Sequence, residues 1–266
     1  MIAEDGDGGG MISRAFAVLG AIRDEPVLGV SSIARVTGLP RSTVHRIAGQ
    51  LIEVGALTRV GREYRLGVKL FELGSGHYPA KLRDALHPFL VDLQRVTGAD
   101  VTTAELVGTD IVIVESVPAR TSPSPASVVK IGARLPAHAT AAGKIILAFS
   151  GDFPYQRDAD LPAVTPRTVI RLAELRREIA DALASGIAFE RGEIEPGRSS
   201  VAAPLLNRHK RVLGALMVTG ADDGFDPARL ATAVQIVAHT RTRVGQNANI
   251  EFYARLRPHG PKDGPS

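Results

Sequence analysis

One short turn constrains this chain more than any other feature. Residues 38 to 47 read GLPRSTVHRI. Thr37-Gly38-Leu39 forms a break between two segments with helical apolar spacing. The first is a short helix capped by Ser31 or Ser32 and running through Val36; the second opens at Pro40 and runs to about Val54, where Gly55 ends it. Two helices joined by a three-residue turn that contains glycine are the helix-turn-helix pattern. Upstream, Ser13 caps a further helix, RAFAVLGAIR, which stops at Asp24-Glu25-Pro26 because proline disfavours helix in the residue before it. Downstream, Ala56–Val60 and Glu63–Leu66 alternate around Gly61-Arg62 as a β-hairpin. Helix, helix-turn-helix and hairpin together read as a winged helix.

The second helix of the pair has two faces. Val44, Ile47 and Leu51 form a core-facing stripe, whereas Arg41, Ser42, Thr43, His45 and Arg46 form the polar side. In a helix-turn-helix the early residues of the second helix lie nearest the bases of the major groove. Arginine forks onto guanine, and serine or threonine is short enough to reach phosphates or base edges. In the wing, Arg59, Arg62 and Arg65 are placed for phosphate or minor-groove contact. From Met11 to Ser75 nine basic residues face five acidic ones, and most of the basic ones follow Arg35, where a polyanion would be met. The alternative for each of these residues is an ordinary solvated basic surface.

The 266 residues suffice for one large domain or two modest ones, and 44% hydrophobic with 23% charged residues is globular composition. No cysteine occurs, which removes disulfides and sulfur-based zinc sites and fits a reducing cytoplasm. No apolar run approaches the roughly 20 residues that span a bilayer, so no membrane partner is expected. MIAEDGDGGG is acidic and Gly-rich and reads as a flexible tail.

Beyond the hairpin, a helix over Val68–Leu73 leads to Gly74-Ser75-Gly76. A longer helix runs from about Lys81 to Val96, with Leu82, Leu86, Phe89, Leu90 and Leu93 near one stripe and Pro88 inside it. After Gly98 the texture changes. Strands are expected over Val101–Val107, Ile111–Val117, Ser127–Ile131, Ile187–Ile194, Val201–Leu206 and Val212–Thr219. Helices are expected over Ala139–Phe149, Arg171–Leu183 and Pro227 to about Arg243. Strands interspersed with helices predict an α+β domain with an antiparallel sheet.

GLPRSTVHRI, YRLG, RLPAHATAAGK and EPGRSSVAAP, in this order and near these separations, resemble the IclR family of bacterial transcription regulators over Ser13 to Arg243. The resemblance implies an N-terminal winged helix-turn-helix, a linker helix and a C-terminal GAF/PAS-like mixed domain with an antiparallel sheet. It divides the chain into a tail at 1–10, a DNA-binding domain at 11–76, a linker helix at 77–97, an effector and oligomerisation domain at 98–256 and a tail at 257–266. It implies double-stranded operator DNA as partner, self-association as dimer or tetramer, and a small effector, commonly an organic or aromatic acid. No cofactor and no metal are expected.

By the same resemblance the effector pocket lies between the sheet and RLPAHATAAGK. The ligand-contacting positions fall on Ala141, Ala142, Glu190, Ser200, Met217 and Thr219. The helix start at Thr140-Ala141-Ala142 adds N–H groups suited to a carboxylate. Leu135 is a candidate apolar wall, with plain core as the alternative. Glu190 stands where the family often has Asp, Ser200 where cysteine is usual, and Arg198 where an apolar residue is common. Arg198 either meets an anionic effector, points to solvent or neutralises Glu193 or Glu195.

Two other readings compete. Ser200, His138 and Glu190 would make a hydrolytic triad if they met, but Ser200 lacks the G-x-S-x-G elbow. Ala142-Gly143-Lys144 is followed by Ile145 and lacks upstream glycines, so it is not a phosphate-binding loop. A DNA-binding protein whose C-terminal domain only oligomerises is the second.

Overall fold

Contacts divide the chain into two units, Met1–His77 and Tyr78–Ser266. The structure, a computed structural model, describes residues 10–222 except 24, 26, 76–77, 121–128, 152 and 208, with the backbone alone for 78–85. The expected helix from Pro227, residues 1–9, the tail at 257–266 and the side chain of Leu82 lie outside the described residues.

In the first unit, α1 (Met11–Ile22), α2 (Val30–Thr37) and α3 (Arg41–Glu53) pack together. Val18, Ile22, Ile33, Val44, Ile47 and Ala48 are buried between them. Gly38 ends α2 at φ +71°, a conformation that side chains with a Cβ adopt only at a cost. Thr37 Oγ1 accepts the Leu39 N–H at 3.3 Å and fastens the turn. The serine caps are corrected: α1 starts at Met11 after Gly10 and α2 at Val30 after Gly29, with no side-chain cap on either. Glycine fills both N-cap places, so Ser13, Ser31 and Ser32 lie inside the helices. Pro40 is the N-cap of α3 rather than its first residue.

The wing is β2 (Leu57–Val60) paired antiparallel with β3 (Glu63–Leu66). A two-residue β1 (Leu28–Gly29), too short to leave a pattern in the sequence, adds to β3 opposite Tyr64 and Glu63. The helix α4 (Val68–Ser75) closes the unit.

The second unit opens with α5 (Tyr78–Thr97), which contains Pro88. Its described strands are β4 (Asp100–Val107), β5 (Asp110–Val117), β6 (Arg134–Pro136), β7 (Ala188–Arg191), β8 (Arg198–Leu206) and β9 (Val212–Ala221). They form one antiparallel sheet in the order β6-β5-β4-β9-β8-β7. The strand expected over Ser127–Ile131 is corrected: residues 129–131 carry no strand. A turn through Gly132 at φ +80° intervenes, and pairing with β5 resumes at Arg134.

Alternation sorts the sheet's side chains between two cores. Val101, Val201, Ala203, Leu216 and Val218 pack with Leu86, Leu90 and Leu93 of α5. Ala104, Ala202, Ala215 and Met217 face the other way, in one core with α6 (Ala141–Ser150) and α7 (Leu172–Ser185). The start of α6 is pressed so closely on the preceding turn that a Cβ at Gly143 would lie 2.1 Å from the carbonyl oxygen of Ala137. Only glycine fits there.

Candidate functional site

On α3, Arg41, Ser42, His45 and Arg46 are exposed, opposite buried Val44, Ile47 and Ala48. Helical periodicity sets these four on one side and turns half-buried Thr43 toward the flank. An Arg46 N–H approaches the sulfur of Met11 at 3.8 Å, which ties this guanidinium to α1. The wing arginines do not share a face. Arg59 lies opposite Tyr64 in the ladder and Arg65 opposite Thr58, so alternation sends them to opposite sides of the hairpin. Arg59 Nε donates to the Gly61 carbonyl at 3.1 Å, and Arg62 sits in the turn, exposed.

In the second unit a small cleft, with a cavity volume of about 50 Å³, lies against the α6 side of the sheet. Six of the expected residues line it: Leu135, Glu190, Arg198, Ser200, Met217 and Thr219. Ala141 and Ala142 do not. Both are fully buried in the core behind it, and the α6 cap Thr140 forms the wall in their place. Thr140 Oγ1 accepts the Gly143 N–H at 3.0 Å and so satisfies one of the helix's orphan donors.

The polar floor is a cross-strand row. Glu190 on β7 faces Ser200 on β8, Ser200 faces Thr219 on β9, and Thr219 faces Asp100 on β4. Directly opposed residues of an antiparallel ladder share a face, so the register alone assembles this row. Ser200 Oγ lies 3.0 Å from Thr219 Oγ1, and Ser200 also bonds Glu190. Glu190 Oε1 accepts the N–H groups of Glu193 at 2.5 Å and Ile194 at 3.3 Å. Burial nevertheless pushes the Glu190 carboxyl above its usual range, against the pull of those bonds.

Arg198 is engaged. Its guanidinium pairs with Asp100 and lies 3.6 Å from Glu195. The neutralisation expected at Glu195 is present, and the stronger partner is Asp100, a residue that sequence reasoning missed. Asp100 comes from a strand 98 residues away, so no local pattern signals it. Thr102, one row further along β4, was missed for the same reason and also lines the cleft.

Behind the row, Lys144 of α6 is 1% exposed and pairs with Glu193, and with Glu178 of α7 at 2.6 Å. Glu193 Oε2 accepts the Val169 N–H at 3.2 Å, and burial raises its carboxyl despite Lys144. His138 does not meet Ser200. Its Nε2 lies 3.0 Å from the Pro162 carbonyl, which only accepts, so Nε2 carries the proton. Tyr155 Oη accepts the His138 N–H at 3.2 Å and donates to the Thr109 carbonyl at 3.0 Å, with burial raising its pKa to about 12.

A winged helix-turn-helix followed by a mixed domain with an enclosed, polar-floored cleft defines a class: DNA-binding regulators that carry a second domain. Residues 11–61 match the IclR helix-turn-helix domain, and residues 79–245 match the bacterial transcriptional regulator IclR C-terminal domain. The chain belongs to the IclR family of bacterial transcriptional regulators. It is 30% identical over 235 residues to the HTH-type transcriptional regulator XynR of Escherichia coli, covering 83% of this chain and 89% of that one. It is 31% identical over 242 residues to the glycerol operon regulatory protein of Streptomyces griseus, covering 87% and 94%. Among solved structures, an IclR homolog from Microbacterium hydrocarbonoxydans complexed with 4-hydroxybenzoate superposes with a TM-score of 0.76. The identity there is 27%, over 93% of this chain and 100% of that one. Among the described residues no helix is long and apolar enough to cross a membrane.

Proposed function

We propose that this IclR-type regulator is a ligand-responsive switch: α3 reads an operator, and a small molecule in the sheet-side cleft changes how well it does so. The observation that carries this reading is the cleft. A cavity with four polar side chains aligned on its floor is of no use to a domain that only oligomerises. Arg41, Ser42 and His45 are the base-reading candidates, with Thr43 at the flank. Arg46, Arg59 and Arg62 serve as phosphate contacts, and Arg65 faces away from Arg59.

Paired recognition helices suit a dimer on a near-palindromic site, and the family resemblance adds a tetramer as the alternative. Exposed apolar side chains support self-association: Ile12 (75% exposed) and Phe16 (69%) stand one turn apart on α1. An effector shifts DNA affinity only if it binds one arrangement of that oligomer better than the other. That an IclR homolog of this fold has been solved in complex with a small molecule, 4-hydroxybenzoate, supports a ligand-responsive reading.

The test is fluorescence-anisotropy titration of the full chain on DNA from its own promoter region, with and without small metabolites. At least one compound is expected to shift the operator affinity and to lose that effect when Ser200 and Thr219 are replaced by valine. An operator complex that no compound moves would establish the oligomerisation-only reading.

A further inference from the structure

The charges around the cleft choose among ligands. Asp100, Glu190 and Glu195 line it, against the single guanidinium of Arg198. Arg198 is 13% exposed and already held by Asp100 and Glu195. The start of α6 adds a positive end worth about half a charge, part of which Thr140 has already taken up. The sum is negative by more than one charge, and it stays negative when Glu190 carries a proton. Lys144 does not reverse it, because Glu193 and Glu178 both pair with that ammonium. Among the described residues lining the cleft, no cation is left over to receive an anion.

What the lining does offer is hydroxyl chemistry. A hydroxyl has one proton to give. If Ser200 gives its proton to Glu190, Thr219 must donate to Ser200, which leaves the Thr219 oxygen as an acceptor toward the cleft. Thr102 Oγ1, in the neighbouring row, has no hydrogen-bond partner among the described residues, although Thr102 is only 2% exposed and lines the cleft. Leaving a buried hydroxyl unsatisfied is costly, so a ligand group that bonds it is favoured. The remaining walls, Val129, Leu135, Ile194 and Met217, are apolar.

We propose that the cleft binds an uncharged, hydroxyl-bearing compound with an apolar body, and that the Asp100–Arg198 pair selects against carboxylates. This rests on the reading of the cleft as the effector site. Thr102 and the Glu190–Ser200–Thr219 chain exchange hydrogen bonds with the ligand's hydroxyl groups, while Asp100 withholds from a carboxylate the one guanidinium that would attract it.

The experiment uses the full chain and matched probes that differ in charge: benzyl alcohol and benzoate, 4-hydroxybenzyl alcohol and 4-hydroxybenzoate, 2-phenylethanol and phenylacetate. Binding is read by calorimetry and thermal shift. At least one alcohol is expected to bind the wild type about tenfold or more tighter than its carboxylate. Asp100→Asn keeps the acceptor for the Ala119 N–H but releases Arg198 from its buried partner, leaving only Glu195, and should narrow or invert that gap. Glu195→Gln, at a half-exposed position, should shift it the same way and stands in if Asp100→Asn fails to fold. Carboxylates bound as well as or better than alcohols by the wild type would overturn the selectivity and leave the effector site standing. Binding of neither class by the wild type also overturns it. If the variants are equally silent, the effector reading falls too.

Discussion

Arg41 and His45 lie one turn apart on the exposed side of α3, with Ser42 between them and Arg46 next to Met11. A residue at the first helical position reaches base edges only if the helix enters the groove by its N-terminus. Arg41→Ala should then weaken specific operator binding by about 1–3 kcal/mol and random-sequence binding much less. Equal losses on both DNAs, measured by competition at fixed salt, would reduce Arg41 to a phosphate contact. These residues were legible because one turn of chain holds the whole motif. The cleft was legible only in part. Glu190, Ser200 and Thr219 come from the family's pattern, whereas Asp100 and Thr102 reach the same floor through pairing of β4 with β9, more than a hundred residues on. Ala141 and Ala142 stand behind the lining: Gly143 packs α6 against Ala137, both alanines are buried, and Thr140 lines the cleft.

Between elements, Lys144 is the tie that holds α6 to α7 and to the loop between β7 and β8. That loop also hangs from Thr168 Oγ1, which donates to the Glu193 carbonyl at 2.8 Å, and from Thr165 Oγ1, which donates to the Gly192 carbonyl at 2.6 Å. Removing one partner of a buried pair strands the other charge. Lys144→Met should therefore lower unfolding stability by about 3–5 kcal/mol, and adding Glu193→Gln should restore much of it. Denaturant titration checks this; a single variant as stable as the wild type would mean that solvent already reaches Glu193. The sequence marked α6 as an apolar helix, and its one lysine gave no hint of burial, because both acids lie far along the chain. The strand expected over Ser127–Ile131 has a related origin. Val129 and Ile131 have β propensity, but Gly132 turns the chain before the ladder to β5 can begin.

At the level of the whole molecule, buried titratable groups set the pH range over which the second unit is most stable. Burial lowers the pKa of His138 from 6.5, so the unfolded chain takes up that proton first and stability falls as pH drops below 6.5 toward the folded value. Glu190 and Glu193 are raised from 4.5, so they cost stability as pH climbs from there through their folded values. His138→Gln keeps a donor for the Pro162 carbonyl but cannot titrate. Its melting temperature should fall less than the wild type's between about pH 7 and 5; parallel curves would show that His138 titrates alike in both states. Two-helix turns, hairpins and strand alternation could be read from local pattern, and the antiparallel α+β architecture followed from them. Strand order and the pairings across it could not, since those depend on contacts distant in sequence. One consequence of the sheet's alternation reaches the interpretation of natural variants. Along β8, even-numbered positions from Arg198 to Ala202 look onto the cleft side, while Val201, Ala203 and Leu205 look onto α5. Along β9 the parity inverts, with Met217 and Thr219 on one side and Leu216 and Val218 on the other. Neighbouring codons thus report on different properties, and a variant's odd or even number tells a geneticist which assay to run first.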